Sequence, residues 1–244
     1  MKALAIVQAR MGSSRLPGKV LREVSAGKTM LASVIERVRM SSLLDEVMVA
    51  TTELVEDEAI ASACEKLDVP VSRGSVEDVL DRFIQAARPK APECVVRITA
   101  DCPLVDAALI DESLEKLGSS NADYVADGPE RTYPRGLDVE VIRYACLEQA
   151  WHEAKLPYER VHVTPYLYQH PNKFRLAWLA AEKNYHRHRW CVDTSDDLAL
   201  VTAIFQRLGT RSDYGWRDVL SIVEGDAHLL RMNEHVRQKA LEEG

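Results

Sequence analysis

Ala3-Leu-Ala-Ile-Val-Gln-Ala-Arg10-Met-Gly12-Ser-Ser14-Arg15-Leu-Pro-Gly18-Lys19 opens the chain, and its two halves differ in character. Residues 3–7 are apolar without alternation, the pattern of a strand covered on both faces of a parallel sheet. The stretch from Ala9 onward is a loop of small residues carrying Arg10, Arg15 and Lys19. Gly12, Ser13 and Ser14 let backbone N–H groups and hydroxyls approach anionic oxygens while the three cations neutralise them. The loop therefore reads as a triphosphate cradle formed by Ala9, Arg10, Gly12, Ser13, Ser14, Arg15 and Lys19. The first 40 residues hold eight Lys and Arg against two Glu, a charge of +6 in a chain whose net charge is −7. Basicity this local on an acidic protein points to a small anionic ligand and away from nucleic acid.

The loop is not a Walker A motif. Five residues instead of four separate Gly12 from Gly18, and Lys19 is followed by Val20, which has no hydroxyl for a metal ion. At 244 residues and 46% hydrophobic, the chain is long enough for one large domain with a substantial core. Residues 3–7 are too short for a signal-peptide core and no apolar run is long enough to span a membrane, so a cytoplasmic protein without membrane association is expected. Cys64, Cys94, Cys102, Cys146 and Cys191 are scattered and odd in number, which argues for reduced thiols rather than a disulfide framework or zinc ribbon.

Outward from the loop, strands and helices alternate. Helical spacing covers 30–40 and 56–67, with strands at 46–50 and 69–71. Ser75 is placed to cap a helix over 75–88, and 94–98 is a further strand. This predicts an α/β fold: a doubly wound, Rossmann-like, mainly parallel sheet with helices on both faces. In such folds ligands sit beyond the carboxyl ends of the strands, where Arg10 and Asp101 fall. Residues 124–178 break the rhythm with a hairpin over 132–142, helices over 145–154 and 159–168 and a strand at 174–178. They read as an inserted hairpin and helix flap within a single 1–244 domain, with Tyr166, Tyr168 and Trp178 as an apolar face for a homodimer. A core strand at 189–192, a helix over 195–208 and helical sequence from Trp216 complete the chain.

A triphosphate calls for a divalent cation, and a divalent cation for carboxylates on rigid elements. Asp101 follows the 94–98 strand and is set at its end by Pro103. Asp193 ends the 189–192 run, where it either faces the ligand or helps cap the following helix. Arg135, Asp138 and Glu140 lie beyond the loop in sequence; alternation with Leu137, Val139 and Val141 puts Asp138 and Glu140 on one face, as acceptor contacts or as a solvated strand face. His186 and His188, interleaved with arginines, are better read as a basic turn than as a two-ligand metal site.

Residues 8–21, Gln-Ala-Arg-Met-Gly-Ser-Ser-Arg-Leu-Pro-Gly-Lys-Val-Leu, resemble the signature of the CTP-dependent cytidylyltransferases. That superfamily holds the acylneuraminate and 3-deoxy-manno-octulosonate enzymes. The likeness is greatest to the branch of the spore coat polysaccharide biosynthesis protein F, and it continues through the blocks at 73–82, 97–106, 133–141, 162–166 and 189–198. The resemblance implies that Arg10, Ser14, Arg15 and Lys19 hold the CTP phosphates, that Asp101 and Asp193 bind Mg²⁺, and that Arg73 with residues 75–82 contacts the cytidine. It raises His162, otherwise a structural histidine, to an acceptor contact beside Arg135, Asp138 and Glu140. The implied reaction is transfer of CMP from CTP to an anionic, sugar-like acceptor in polysaccharide or glycoconjugate synthesis. Two rival readings are a nucleotide-sugar glycosyltransferase and a non-catalytic nucleotide-binding subunit. The first would carry an Asp-x-Asp pair, but Asp101 is followed by Cys102 and Pro103.

Overall fold

A computed structural model of the chain describes residues 1–238. Strand β1 (Ala3–Gln8) lies near the middle of a seven-stranded sheet. Side chains of a strand alternate between faces, so Ala3, Ala5 and Val7 enter one buried cluster and Leu4 and Ile6 the other, none more than 2% exposed. Short β2 (Glu23–Ser25) and β3 (Lys28–Thr29) form a separate ribbon after the loop. In the main sheet, β4 (Glu46–Thr52) and β6 (Cys94–Thr99) flank β1 in parallel, and β5 (Val71–Gly74) extends it beyond β4. On the other side follow β8 (Glu140–Arg143), β7 (Tyr124–Asp127) and β9 (Leu176–Leu179), in the order β5-β4-β1-β6-β8-β7-β9. Only β8 runs against its neighbours.

Helices cover both faces, as the doubly wound reading requires. On one lie α1 (Met30–Val38), α2 (Glu58–Lys66), α4 (Ala107–Ser119), α8 (Ser195–Leu208) and α9 (Trp216–Glu224), joined by Leu229 of α10 (Ala227–Arg231). On the other lie α3 (Val79–Ala87), α5 (Tyr144–Glu153) and the region of α6 (Pro157–His162) and α7 (Pro165–Tyr168). From β1 the strand order departs in both directions, so the crevice at the carboxyl ends of β1 and β6 is the switch point where such sheets bind ligands.

Several elements differ from their sequence reading. The 132–142 hairpin is displaced: its strands are β7 and β8, joined by a long loop in which Leu137 and Val139 are buried without pairing. The 189–192 run is a buried segment rather than a strand, with a single bridge between Arg135 and Arg189, because burial of Trp190 and Val192 needs no ladder. Asp78, not Ser75, caps α3 by accepting from the Asp81 N–H at 2.9 Å. The 159–168 helix is two, broken at Val163, whose φ of 73° is left-handed; Pro165 also disfavours helical backbone at Thr164. Residues 124–178 pack α5–α7 against the sheet and also give it three strands. Their aromatic side chains are engaged within the chain: the Tyr166 hydroxyl donates to Glu153 and Trp178 meets Tyr124 edge to face. Among the described residues no helix is long and apolar enough to cross a membrane, and all five cysteines are free thiols.

Candidate active site

The loop after β1 is shaped by its ends. The Ala9 N–H donates to Ala50 O at 3.1 Å, and the Gly18 N–H closes onto Met11 O at 3.0 Å. Gly18 has φ 68°, a left-handed turn that glycine adopts without steric penalty. Fully buried Asp57 accepts from the Met11 N–H at 2.6 Å and from the Thr52 hydroxyl, tying the loop to β4. Ser13 Oγ accepts from the Leu16 N–H at 3.4 Å. Leu16 is sunk into the core while Arg10, Gly12 and Ser14 face solvent, so the loop is anchored below and open above.

Lys19 turns inward from this loop and is 8% exposed. Its ammonium donates to Asp101 Oδ2 at 2.7 Å, to Asp193 Oδ1 at 2.9 Å and to Val192 O at 2.7 Å. Arg15 Nη2 lies 3.0 Å from Asp193 Oδ2, and Arg189 donates to the same oxygen. The four residues expected to carry the chemistry, Arg15, Lys19, Asp101 and Asp193, are thus in one cluster, though 174 positions separate Lys19 from Asp193. Helix capping is left to Thr194, whose Oγ1 accepts from the Asp197 N–H at 3.3 Å, so the Asp193 carboxylate is free to face Lys19. Burial opposes the charge on Lys19, but Asp101 and Asp193 outweigh it and hold the ammonium protonated well above its ordinary range. Burial likewise opposes ionisation of Asp193, and Lys19, Arg15 and Arg189 reverse it, keeping the carboxyl below the usual range. Two carboxylates that one ammonium can bond together are close enough to hold one divalent cation, an all-oxygen donor set suited to a hard ion. Among the described residues no group of three or more His, Cys, Asp or Glu is arranged to hold a metal, so further ligands to a cation here would come from substrate oxygens and water.

A cleft of about 570 Å³ opens beside the pair, with Asp101 and Asp193 in its wall. Arg135, Asp138, Glu140 and His162 all line it. Asp138 accepts from the Gly136 N–H at 2.8 Å and pairs with Arg131. Burial raises its carboxyl, but Arg131 and then the Gly136 N–H bring it below its ordinary value. Glu140 is bonded by Arg97, the Tyr124 hydroxyl and Thr164 Oγ1, the last at 2.7 Å. Each acidic residue is therefore matched to a half-buried arginine, and Arg135 adds a cation to the cleft wall.

Arg73, expected at the cytidine, is engaged by neighbouring backbone and by Glu58. It lies one residue before the end of β5 and braces the turn after β4, donating to Thr52 O and Leu54 O at 3.0 Å each and pairing with Glu58, apart from the Lys19 cluster. Arg82 closes the 75–82 segment expected at the cytidine, whereas sequence reasoning gave no site role to Arg97, Arg131 or Arg189. Arg82 is fully buried, with Nη1 on Ser75 O at 2.8 Å and with Nε and Nη2 unpartnered. Burial first, then Arg10, lowers it to about 10, partly offset by Asp57. Arg189 lay inside a block already singled out, and its spacing of four from Asp193 and of eight from a buried Asp197 was the available signal.

Residues 4–208 match the family model described as Cytidylyltransferase. The chain is 38% identical over 245 residues to an uncharacterised protein of Methanocaldococcus jannaschii, covering 100% of this chain and 99% of that one. It is 31% identical to the spore coat polysaccharide biosynthesis protein SpsF of Bacillus subtilis, covering 90% and 93%. The solved structure of a cytidylyltransferase from Leptospira borgpetersenii superposes with a TM-score of 0.89 at 28% identity, over 98% of this chain and 99% of that one. With a basic loop, a carboxylate pair at the switch point and this extent of match, the chain belongs to the cytidylyltransferase family and is a nucleotidyltransferase.

Proposed function

We propose that this enzyme transfers CMP from CTP to a hydroxyl of an anionic, sugar-like acceptor and releases pyrophosphate. The observation that carries the reading is the convergence of Lys19, Arg15, Asp101 and Asp193 at the crevice between β1 and β6, with a polar cleft against it. Arg10, Arg15, Lys19 and the open backbone around Gly12 and Ser14 bind the triphosphate. The acceptor hydroxyl oxygen attacks the α-phosphorus and releases its proton to solvent, the bond from that phosphorus to the β-phosphate bridging oxygen breaks, and Arg15 and Lys19 balance the charge developing on the departing pyrophosphate. Asp101 and Asp193 would hold Mg²⁺, which when bound supplies charge neutralisation and Lewis acidity at the phosphate oxygens. Arg135 holds the acceptor's anion in the cleft, and Asp138, Glu140 and His162 orient its hydroxyls beside the reacting phosphorus. The name of the Bacillus relative supports a sugar acceptor destined for a polysaccharide.

The test is a thermal-shift panel of CTP, UTP, ATP and GTP with Mg²⁺. CTP at 100 times its dissociation constant should stabilise by about 2.7 kcal/mol, roughly 5 to 10 °C for a domain of this size. Equal shifts with all four nucleotides would overturn the reading; selective binding of CTP justifies screening anionic sugars by pyrophosphate release.

A further inference from the structure

The ammonium of Lys19 occupies the position that a cation shared by Asp101 and Asp193 would take. Its three acceptors are two carboxylate oxygens and a backbone carbonyl, at 2.7, 2.9 and 2.7 Å, and hard divalent ions take such oxygens. The Lys19 side chain is only 10% exposed, so the position is filled and screened from water. Asp193 offers no second oxygen, because Oδ2 faces Arg15 and Arg189. Arg189 is also paired with buried Asp197, so three carboxylates are set against three cations and the cluster is balanced before any ligand arrives. A free divalent ion would have to enter within a few ångströms of the ammonium, where like charges repel strongly in a partly buried site.

We propose that Lys19 is the resident counter-ion of this carboxylate pair and gives it up only when nucleotide phosphates draw its ammonium away, so that the enzyme takes its divalent cation with the nucleotide and not as the free ion. The inference rests on the nucleotide-binding reading above and adds an order of binding to it. The local build allows the exchange. Lys19 follows Gly18 at the start of a single 3-10 turn (Lys19–Leu21), below the open part of the loop, and its four-carbon stem can redirect the ammonium by rotamer changes alone. Once the ammonium bonds phosphate oxygens, the pair regains two acceptors and the phosphates bring the negative charge that a divalent ion needs.

The experiment measures Mn²⁺ binding to nucleotide-free protein by the loss of the free-ion EPR signal, in the wild type, Lys19→Met and Lys19→Gln. Either variant should bind Mn²⁺ at least tenfold more tightly than the wild type, and adding Asp193→Asn should remove the gain. In the wild type, CTP should produce protein-bound Mn²⁺, read as enhanced water-proton relaxation above that of Mn²⁺ with CTP alone. Wild-type protein that binds free Mn²⁺ tightly, with the binding lost in Asp101→Asn, overturns the inference whatever the variants do. So does failure of both folded variants to gain affinity. Absence of a CTP thermal shift would instead remove the nucleotide reading, an outcome separable because the metal titration uses no nucleotide.

Discussion

Asp101 and Asp193 share one ammonium but not one environment. Asp101 bonds Lys19 at 2.7 Å and accepts from the Cys102 thiol at 3.6 Å, with its side chain 26% exposed. Asp193 is 17% exposed and faces Lys19, Arg15 and Arg189 together. Removing one partner of a buried ion pair leaves the others uncompensated, at a penalty of about 3 kcal/mol or more, and the penalty grows with the number of stranded cations. Asp193→Asn should therefore unfold at markedly lower urea concentration than Asp101→Asn, although each lowers turnover on the order of 10² to 10⁴. The reverse order of urea midpoints would refute the partner-based argument. The same contrast explains what the sequence revealed at this scale. Asp101 and Asp193 each follow an apolar run and Lys19 closes the small, basic loop, which are local signals. Arg97, paired with Glu140 43 positions away, has no local counterpart, because its partner is chosen by the register of β6 against β8.

At the scale of elements, the long loop between β7 and β8 is held against the 188–193 segment. The Arg135 N–H donates to His188 O at 2.9 Å and the Trp190 N–H to Arg135 O at 2.6 Å. Gly136 makes this approach possible: its φ is 103°, and a Cβ there would lie 2.5 Å from Cys191 N and 2.6 Å from Trp190 C. Gly136→Ala must push this backbone away from Asp193, and it should destabilise by about 3 kcal/mol through overpacking and left-handed strain while lowering turnover. Gly27→Ala is the control, since Gly27 has φ 69° but no atom within 4 Å of its Cβ position; strain alone should cost about 1 kcal/mol. Equal midpoints in thermal unfolding would mean that the contact at Gly136 is unimportant. Elements with complete local signals were legible, among them α8, whose bounds of 195–208 were read correctly and which Thr194 caps and Gly209 follows. Helix α4 was not read, although Asp106 caps it and Leu109, Ile110, Leu114 and Leu117 supply the buried stripe. The 189–192 segment misled because an apolar run records burial, whereas a strand also needs a neighbouring backbone in register.

For the molecule as a whole, the balance of buried charges sets a pH dependence that belongs to no single element. His188 is 4% exposed, and burial, then the positive charge of Arg187, lowers its pKa below 6.5 despite Glu224 at 3.3 Å. The folded state thus binds fewer protons at this position than the unfolded chain between the folded value and about pH 6.5. Stability from His188 is present above that pH and lost as pH falls through it, with a slope of up to about 1.4 kcal/mol per unit. A second group acts lower. The hydrogen bond from Arg175 holds Asp123 below the usual carboxylate range, while Arg131 and Lys19 do the same for Asp138 and Asp193 against burial. Depressed carboxyls contribute stability that is present above the unfolded value of about 3.9 and lost as pH falls through the folded values. Asp127 has the opposite sign, since burial raises it, but it is outnumbered by the depressed three. Thermal midpoints measured from pH 8 to pH 3 should therefore fall in two stages, a shallow one beginning near pH 6.5 and a steep one below about pH 4. His188→Phe, which keeps a ring against Trp190 and removes the titrating nitrogen, should flatten the first stage and leave the second unchanged. A first stage of undiminished slope in that variant would assign it to other groups.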